Sequence, residues 1–160
     1  MKNGFPVTSI REILALKKLK QHDNIVRLVD IARSQNQFIY LVFEFCEHDL
    51  QQLVKNPAIT FSKPQLKYIL QQILKGLHAM HEQNLMHRDI KGGNILINNK
   101  GQVKLADFGL ARLMKPGQMQ YTTKVVTRWF RAPELALEDP CYDERVDVWS
   151  VGCTFAEMIA

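Results

Sequence analysis

His87-Arg88-Asp89-Ile90-Lys91-Gly92-Gly93-Asn94 is the stretch that decides the fold. It sets a carboxylate, an ammonium and a carboxamide close together around a Gly-Gly pair. The two glycines let the backbone turn tightly enough for Asp89 and Asn94 to face one pocket. A helix signal stands upstream: Ser62 is placed as N-cap, Pro64 lies in the first turn and Gln65 completes a capping box. Leu66, Ile69, Leu70, Ile73, Leu74, Leu77 and Met80 then recur at helical spacing, wide around the circumference, so this helix is expected to be well buried. Downstream, Ile95 to Ile97 and Val103 to Leu105 read as hairpin strands joined by the turn Asn98-Asn99-Lys100-Gly101. Asp107-Phe108-Gly109 follows. Residues 107–134 carry Gly, Pro and polar side chains with little periodicity, which predicts a long functional loop. Ala132-Pro133-Glu134 closes it.

Further out, residues 9–20 read as a helix with Ile10, Ile13, Leu14 and Leu16 on its apolar face, and Ser9 with Glu12 fits a second capping box. Val26 to Val29 and Phe38 to Phe45 read as strands around a turn at residues 34–37. A last apolar helix begins near Val146. With 160 residues, 46% of them apolar and 23% charged, the chain reads as one globular unit and not as disorder. Its net charge of +5 is scattered among acids, with no basic arm or stripe. That argues for a local phosphate site and against direct nucleic-acid binding. Cys46, Cys141 and Cys153 have no zinc spacing and read as reduced thiols. The longest apolar run, Phe38 to Cys46, is too short to span a bilayer. A soluble protein of nucleus and/or cytoplasm, with no membrane partner, is expected.

His87 to Asn94 has the pattern H-R-D-x-K-x-x-N of the protein-kinase catalytic loop. Together with Asp107-Phe108-Gly109 and Ala132-Pro133-Glu134, in that order around one loop, it carries a resemblance to cyclin-dependent kinases across essentially the whole chain. Pro6 to Glu12 is similar to the family's cyclin-binding helix, and Val42 to Leu50 to its hinge. Gly4-Phe5-Pro6 and Cys46 to Leu50 resemble the transcription-elongation branch, whose partner is a T- or K-type cyclin and whose substrate is the RNA polymerase II tail. Thr127 to Glu134 is closer to the cyclin-dependent-kinase-activating branch.

The resemblance implies an α+β fold, the two-lobe protein-kinase-like fold in truncated form. Residues 1–45 would be a partial N-lobe and residues 46–160 a partial C-lobe. The implied activity is ATP-dependent phosphoryl transfer to Ser or Thr followed by Pro, with ATP and Mg²⁺ as cofactors and a cyclin as partner. Positioning and charge neutralisation dominate such chemistry. Asp89 is the implied base, Lys91 neutralises the transferred group, and Asn94 and Asp107 are hard oxygen ligands suited to Mg²⁺. Glu44 and Cys46 would meet adenine through their backbone. Phe43, Asp49, Leu96 and Ala106 complete the implied cofactor site. Glu12 would pair with a strand lysine, or merely start its helix. Leu16, Leu28, His87 and Phe108 would stack as a spine anchored by Asp147. Thr122, with Thr123 as neighbour, occupies the activating phosphorylation position, and Arg11, Arg88 and Arg112 would gather around that phosphate. Val126, Thr127 and Arg131 are implied in substrate choice: Arg131 would occupy the Val126 carbonyl and leave a following N–H without an acceptor, which favours proline.

The sequence departs from the family's pattern at its ends. It contains no Gly-rich phosphate loop, and Lys2, Lys17, Lys18 and Lys20 lack the context of the family's strand lysine. The expectation is therefore an open sheet edge, reduced apolar cover, weak ATP binding and little turnover. The alternative is a non-catalytic fragment that binds a cyclin as competitor or scaffold.

Overall fold

In the computed structural model the described residues are 7–19, 22–34, 38–115 and 120–160, with the side chains of 7–9 outside that description. In chain order the elements are α1 (Val7–Lys18), β1 (Leu28–Arg33), β2 (Ile39–Phe43), β3 (His48–Asp49), α2 (Leu50–Lys55), α3 (Lys63–Glu82), β4 (Leu85–Met86), β5 (Ile95–Ile97), β6 (Val103–Leu105), β7 (Arg112–Leu113), α4 (Pro133–Ala136) and α5 (Arg145–Ile159). All strand pairs are antiparallel: β1 with β2, β5 between β3 and β6, and β4 with β7.

α3 forms for the reasons legible in its sequence. Gln65 Oε1 accepts from both the Ser62 N–H and the Ser62 hydroxyl at 2.8 Å, which fixes the first turn. Ile69, Ile73, Leu77 and Met80 are buried along one stripe, Leu66 and Leu70 pack beside them, and Leu74 is exposed. The helix is therefore half-sunk and not buried all round. The β5–β6 hairpin has the expected bounds, with Gly101 at a positive φ of 74° in its turn. The segment before β1 is stapled to it. Val26 N–H donates to the Leu105 carbonyl, and Leu105 N–H donates to the Asn24 carbonyl, both at 2.9 Å. One apolar core accordingly runs from Ala15, Leu16 and Leu19 of the α1 region through Ile25 and Val26 to Leu105, Phe108 and Met80. A smaller cluster joins Met86, Val126, Phe130, Leu135, Tyr142 and Val146.

Several expected boundaries move. α1 contains Ser9 instead of following it, so Ser9 and Glu12 are not its cap; tertiary contacts of Glu12 replace the local role. The first strand is Leu28–Arg33 and not 26–29, because residues 25–26 are engaged with Leu105. The 107–134 segment is not all loop: among its described residues it contains β7, the 3₁₀ turn Arg128–Phe130 and the start of α4 at Pro133. Residues 1–6, Lys20 and residues 35–37 of the expected turn lie outside the described residues. As anticipated, the β1–β2 ribbon is poorly covered, with Val29, Ile31, Phe38, Tyr40 and Val42 all exposed. No described helix is long and apolar enough to cross a membrane.

Gly76 is where α3 and the 22–26 segment meet. A Cβ there would lie 2.6 Å from the Asn24 carbonyl oxygen and 3.2 Å from the Leu105 side chain. Gly76→Ala gains up to about 1 kcal/mol of helix propensity. It should nonetheless destabilise the chain by about 1–3 kcal/mol, the usual cost of overpacking, read as a lower midpoint in urea unfolding.

Candidate active site

The loop from His87 to Asn94 is held from beneath by one buried carboxylate. Asp147, in the first turn of α5 and fully buried, accepts from His87 N–H at 2.8 Å and from Arg88 N–H at 2.7 Å. His81 Nε2 lies 3.0 Å from its Oδ2. These bonds hold Arg88 at a φ of 66°, a left-handed conformation uncommon in a non-glycine residue. His87 is buried and neutral. Burial pushes its imidazole down, against the pull of Asp147. Its Nδ1 accepts from Asp89 N–H at 3.2 Å, so the proton sits on Nε2 and is donated to the Ala106 carbonyl at 3.0 Å.

Asp89 then points into a convergence of donors. Its Oδ2 accepts from Lys91 Nζ at 2.8 Å and from Asn94 Nδ2 at 2.9 Å. Its Oδ1 accepts from the Thr127 N–H at 3.2 Å and the Thr127 hydroxyl at 3.0 Å. Lys91 Nζ also reaches Thr127 Oγ1 at 3.2 Å. Because Asn94 Nδ2 donates to both the backbone and the side chain of Asp89, its Oδ1 faces the other way and is available as a hard ligand. Asp107 is exposed at a φ of 60°, with Oδ1 accepting from Gly109 N–H at 3.3 Å. Phe108 beside it is fully buried, its ring centroid 5.2 Å from that of His87. Leu16 and Leu28 belong to the same core. An amide oxygen and an exposed carboxylate are the donor chemistry that Mg²⁺ takes, so the residues fit that ion.

The expected adenine-facing residues stand on β2 with the segment after it, on the β3–β5 pair and just past β6. Phe43 ends β2 opposite Leu28, and Leu96 of β5 pairs with Asp49. Leu96 and Ala106 pack partly buried on the core. Asp49 also has a structural task, since its Oδ1 accepts from Gln52 N–H at 2.9 Å as N-cap of α2. Cys46 is half-buried, and burial first, then the Glu44 charge, pushes its thiol up.

Two further clusters complete the site. Arg11, Arg88 and Arg112 line a cavity of about 290 Å³ with Gln120, Tyr121 and Thr122. Thr122 is exposed and Thr123 is half-buried. Arg88 is held in place by its neighbours: Nε donates to the Leu110 carbonyl at 2.9 Å and Nη1 to the Tyr142 hydroxyl at 2.8 Å, which in turn donates to the Thr122 carbonyl. Arg131 Nη2 donates to the Val126 carbonyl at 3.1 Å, and Val126 has a φ of 63°. Sequence reasoning missed Tyr142 and His81, whose partners are remote in the chain. It also missed Lys104, whose only signal is a lysine between two buried apolar strand residues.

Glu12 faces no lysine among the described residues. Burial, and next the charge of Asp107, raise its carboxyl above the ordinary range, while the Phe108 N–H bonded to it pulls the other way.

The protein kinase domain model matches residues 2–160. The chain is 52% identical to "Cyclin-dependent kinase C-2 C" of Arabidopsis thaliana, over 93% of this chain and 23% of that protein. It is 46% identical to "Cyclin-dependent kinase 9" of Danio rerio, over 98% of this chain and 45% of that protein. It is 45% identical to "Cyclin-dependent kinase C-2" of Oryza sativa subsp. japonica, over 99% of this chain and 34% of that protein. The chain thus spans less than half the length of each of these relatives.

The raised Glu12 carboxyl has a stability consequence. Between the ordinary glutamate range and its raised value the folded state holds more protons than the unfolded state, so stability falls as pH rises through that window. Glu12→Gln keeps an acceptor for Phe108 and should abolish that fall, giving a higher Tm than the parent at neutral pH and little difference at acid pH.

Proposed function

The chain belongs to the protein kinase family, and from that premise we propose that it serves ATP-dependent phosphoryl transfer to Ser or Thr followed by Pro, in complex with a cyclin. The observation that carries this reading is the convergence of Lys91, Asn94 and Thr127 on the Asp89 carboxylate. The proposed division of labour places the N-lobe part before residue 46 and the C-lobe part after it. A substrate hydroxyl takes the place of the Thr127 hydroxyl at Asp89. Asp89 receives its proton as the hydroxyl oxygen bonds to the terminal phosphorus of ATP and ADP leaves. Lys91 neutralises charge on the transferred group. Asn94 and Asp107 are the residues that would hold Mg²⁺, which would supply neutralisation of the phosphate charge. Glu44 and Cys46 offer backbone groups to adenine, with Phe43, Asp49, Leu96 and Ala106 around the ring and ribose.

Selection of proline follows from Arg131. With the Val126 carbonyl taken by the guanidinium, a substrate N–H after the phosphorylated residue meets no acceptor there. Leaving one buried N–H unsatisfied costs about 1–3 kcal/mol. Phosphate on Thr122 is proposed as the activating modification. Arg11, Arg88 and Arg112 supply the forks that would bind it and order the loop. The RNA polymerase II tail is the proposed substrate and the nucleus the proposed compartment, by likeness to the transcription-elongation branch.

A second reading keeps the cyclin and drops the catalysis. Exposed Ile10 and Leu14 on α1 suit a partner under either reading, while Glu12 without a lysine beside it among the described residues favours this one. Purified chain, cyclin, ATP and Mg²⁺ should phosphorylate a Ser-Pro peptide slowly. Ser-Ala should cut kcat/KM by roughly five- to a hundredfold, and Asp89→Asn should cut kcat by about a hundredfold or more. Tight cyclin binding without incorporation would establish the second reading instead.

A further inference from the structure

Lys104 has no part in the chemistry just described, yet it is buried. It stands in β6 between Val103 and Leu105, both almost fully buried, and its own side chain is 9% exposed. A buried ammonium is costly unless paired and hydrogen-bonded. Here it is both: Nζ donates to the Asp23 carbonyl at 3.0 Å and lies 3.0 Å from Glu44 Oε1. Glu44 in turn is tied to the neighbouring strand at two places. Its Oε1 accepts from Arg27 N–H at 2.8 Å, and its own N–H donates to the Arg27 carbonyl at 3.0 Å.

Three elements therefore meet on one carboxylate oxygen: the segment entering β1, the segment leaving β2 and the β5–β6 hairpin. The residue so clamped is Glu44, one of the two whose backbone is proposed to meet adenine. We propose that Lys104 is a positioning residue for nucleotide binding, acting through Glu44 to hold the 44–46 backbone in the orientation that adenine requires. This rests on the kinase reading above. Arg27 alone leaves Glu44 free to swing about the β1 edge, because both of its bonds go to the same residue. Lys104 adds a fixed point on the opposite, hairpin side. The charge of Lys104 is also felt by the Cys46 thiol, which it draws downward against burial and Glu44.

The test separates adenine from phosphate. Binding of adenosine, and separately of Mg²⁺-tripolyphosphate, is measured by calorimetry for the parent chain, Lys104→Met and Lys104→Arg. The expected result is a loss of about tenfold in adenosine affinity for Lys104→Met, the scale of one well-aligned hydrogen bond. Tripolyphosphate affinity should be unchanged, and Lys104→Arg should stay within about threefold of the parent. Equal losses for both ligands would show a merely structural role and overturn the proposal, as would no loss at all. A parent chain that binds no adenosine would defeat the nucleotide reading itself. The clamp is then decided by hydrogen exchange: faster exchange of the Glu44 and Cys46 amides in Lys104→Met, with α3 unchanged, upholds it, and unchanged exchange there overturns it.

Discussion

A single buried carboxylate sets the conformation on which the rest of the site depends. Asp147 is fully buried and placed in the first turn of α5, where the helix dipole favours an acidic side chain. Two consecutive backbone N–H groups, those of His87 and Arg88, satisfy it together with His81. Binding two successive amides to one carboxylate forces the chain to turn sharply, and Arg88 absorbs that turn in the left-handed region. The strain is sustained because a buried, unpaired Asp147 would cost more.

From that turn the remaining contacts propagate in both directions. The Arg88 side chain is sent toward Leu110 and Tyr142, and through Tyr142 to the Thr122 carbonyl. The His87 ring is sent toward Ala106, while Ala106 N–H returns to the Asn94 carbonyl at 2.9 Å, which closes the loop onto the hairpin end. Asp89 is left facing Lys91, Asn94 and Thr127. One anchor thereby links the Asp89 carboxylate, the Arg88 guanidinium and a candidate metal-ligand pair. The exposed ribbon of β1 and β2 stands apart from this network; Val26 joins its entry to the hairpin at Leu105, and Glu44 joins its exit to Lys104.

Local signals made part of this legible. α3 and the β5–β6 hairpin follow from a capping box, helical periodicity and a Gly-bearing turn, all written within the element itself. Asp89, Lys91 and Asn94 stand close enough in the chain for their spacing to suggest a common pocket. The same local logic misled at Ser9 and Glu12, where a capping pattern lies inside a helix and Glu12 instead meets Phe108 and Asp107. β3, β4 and β7 were illegible because two-residue strands exist only through partners far along the chain, as Leu85 does through Leu113. The cap of α2 was written in Asp49, which accepts from the Gln52 N–H, but was obscured by the hinge-like stretch around it. Thr127 reaches Asp89 across 38 residues, a convergence that no local pattern encodes. Tyr142 and His81 carried no local signal at all.

The anchoring role of Asp147 is the claim from which the rest follows, and amide hydrogen exchange of the chain and of Asp147→Asn tests it most directly. The account predicts that His87 and Arg88 are among the slowest amides outside the helices, and that both lose protection in the variant far more than Ile73 or Leu77 of α3. Unchanged protection at His87 and Arg88, with the carboxylate gone, would show that the loop is held by something else and would contradict it.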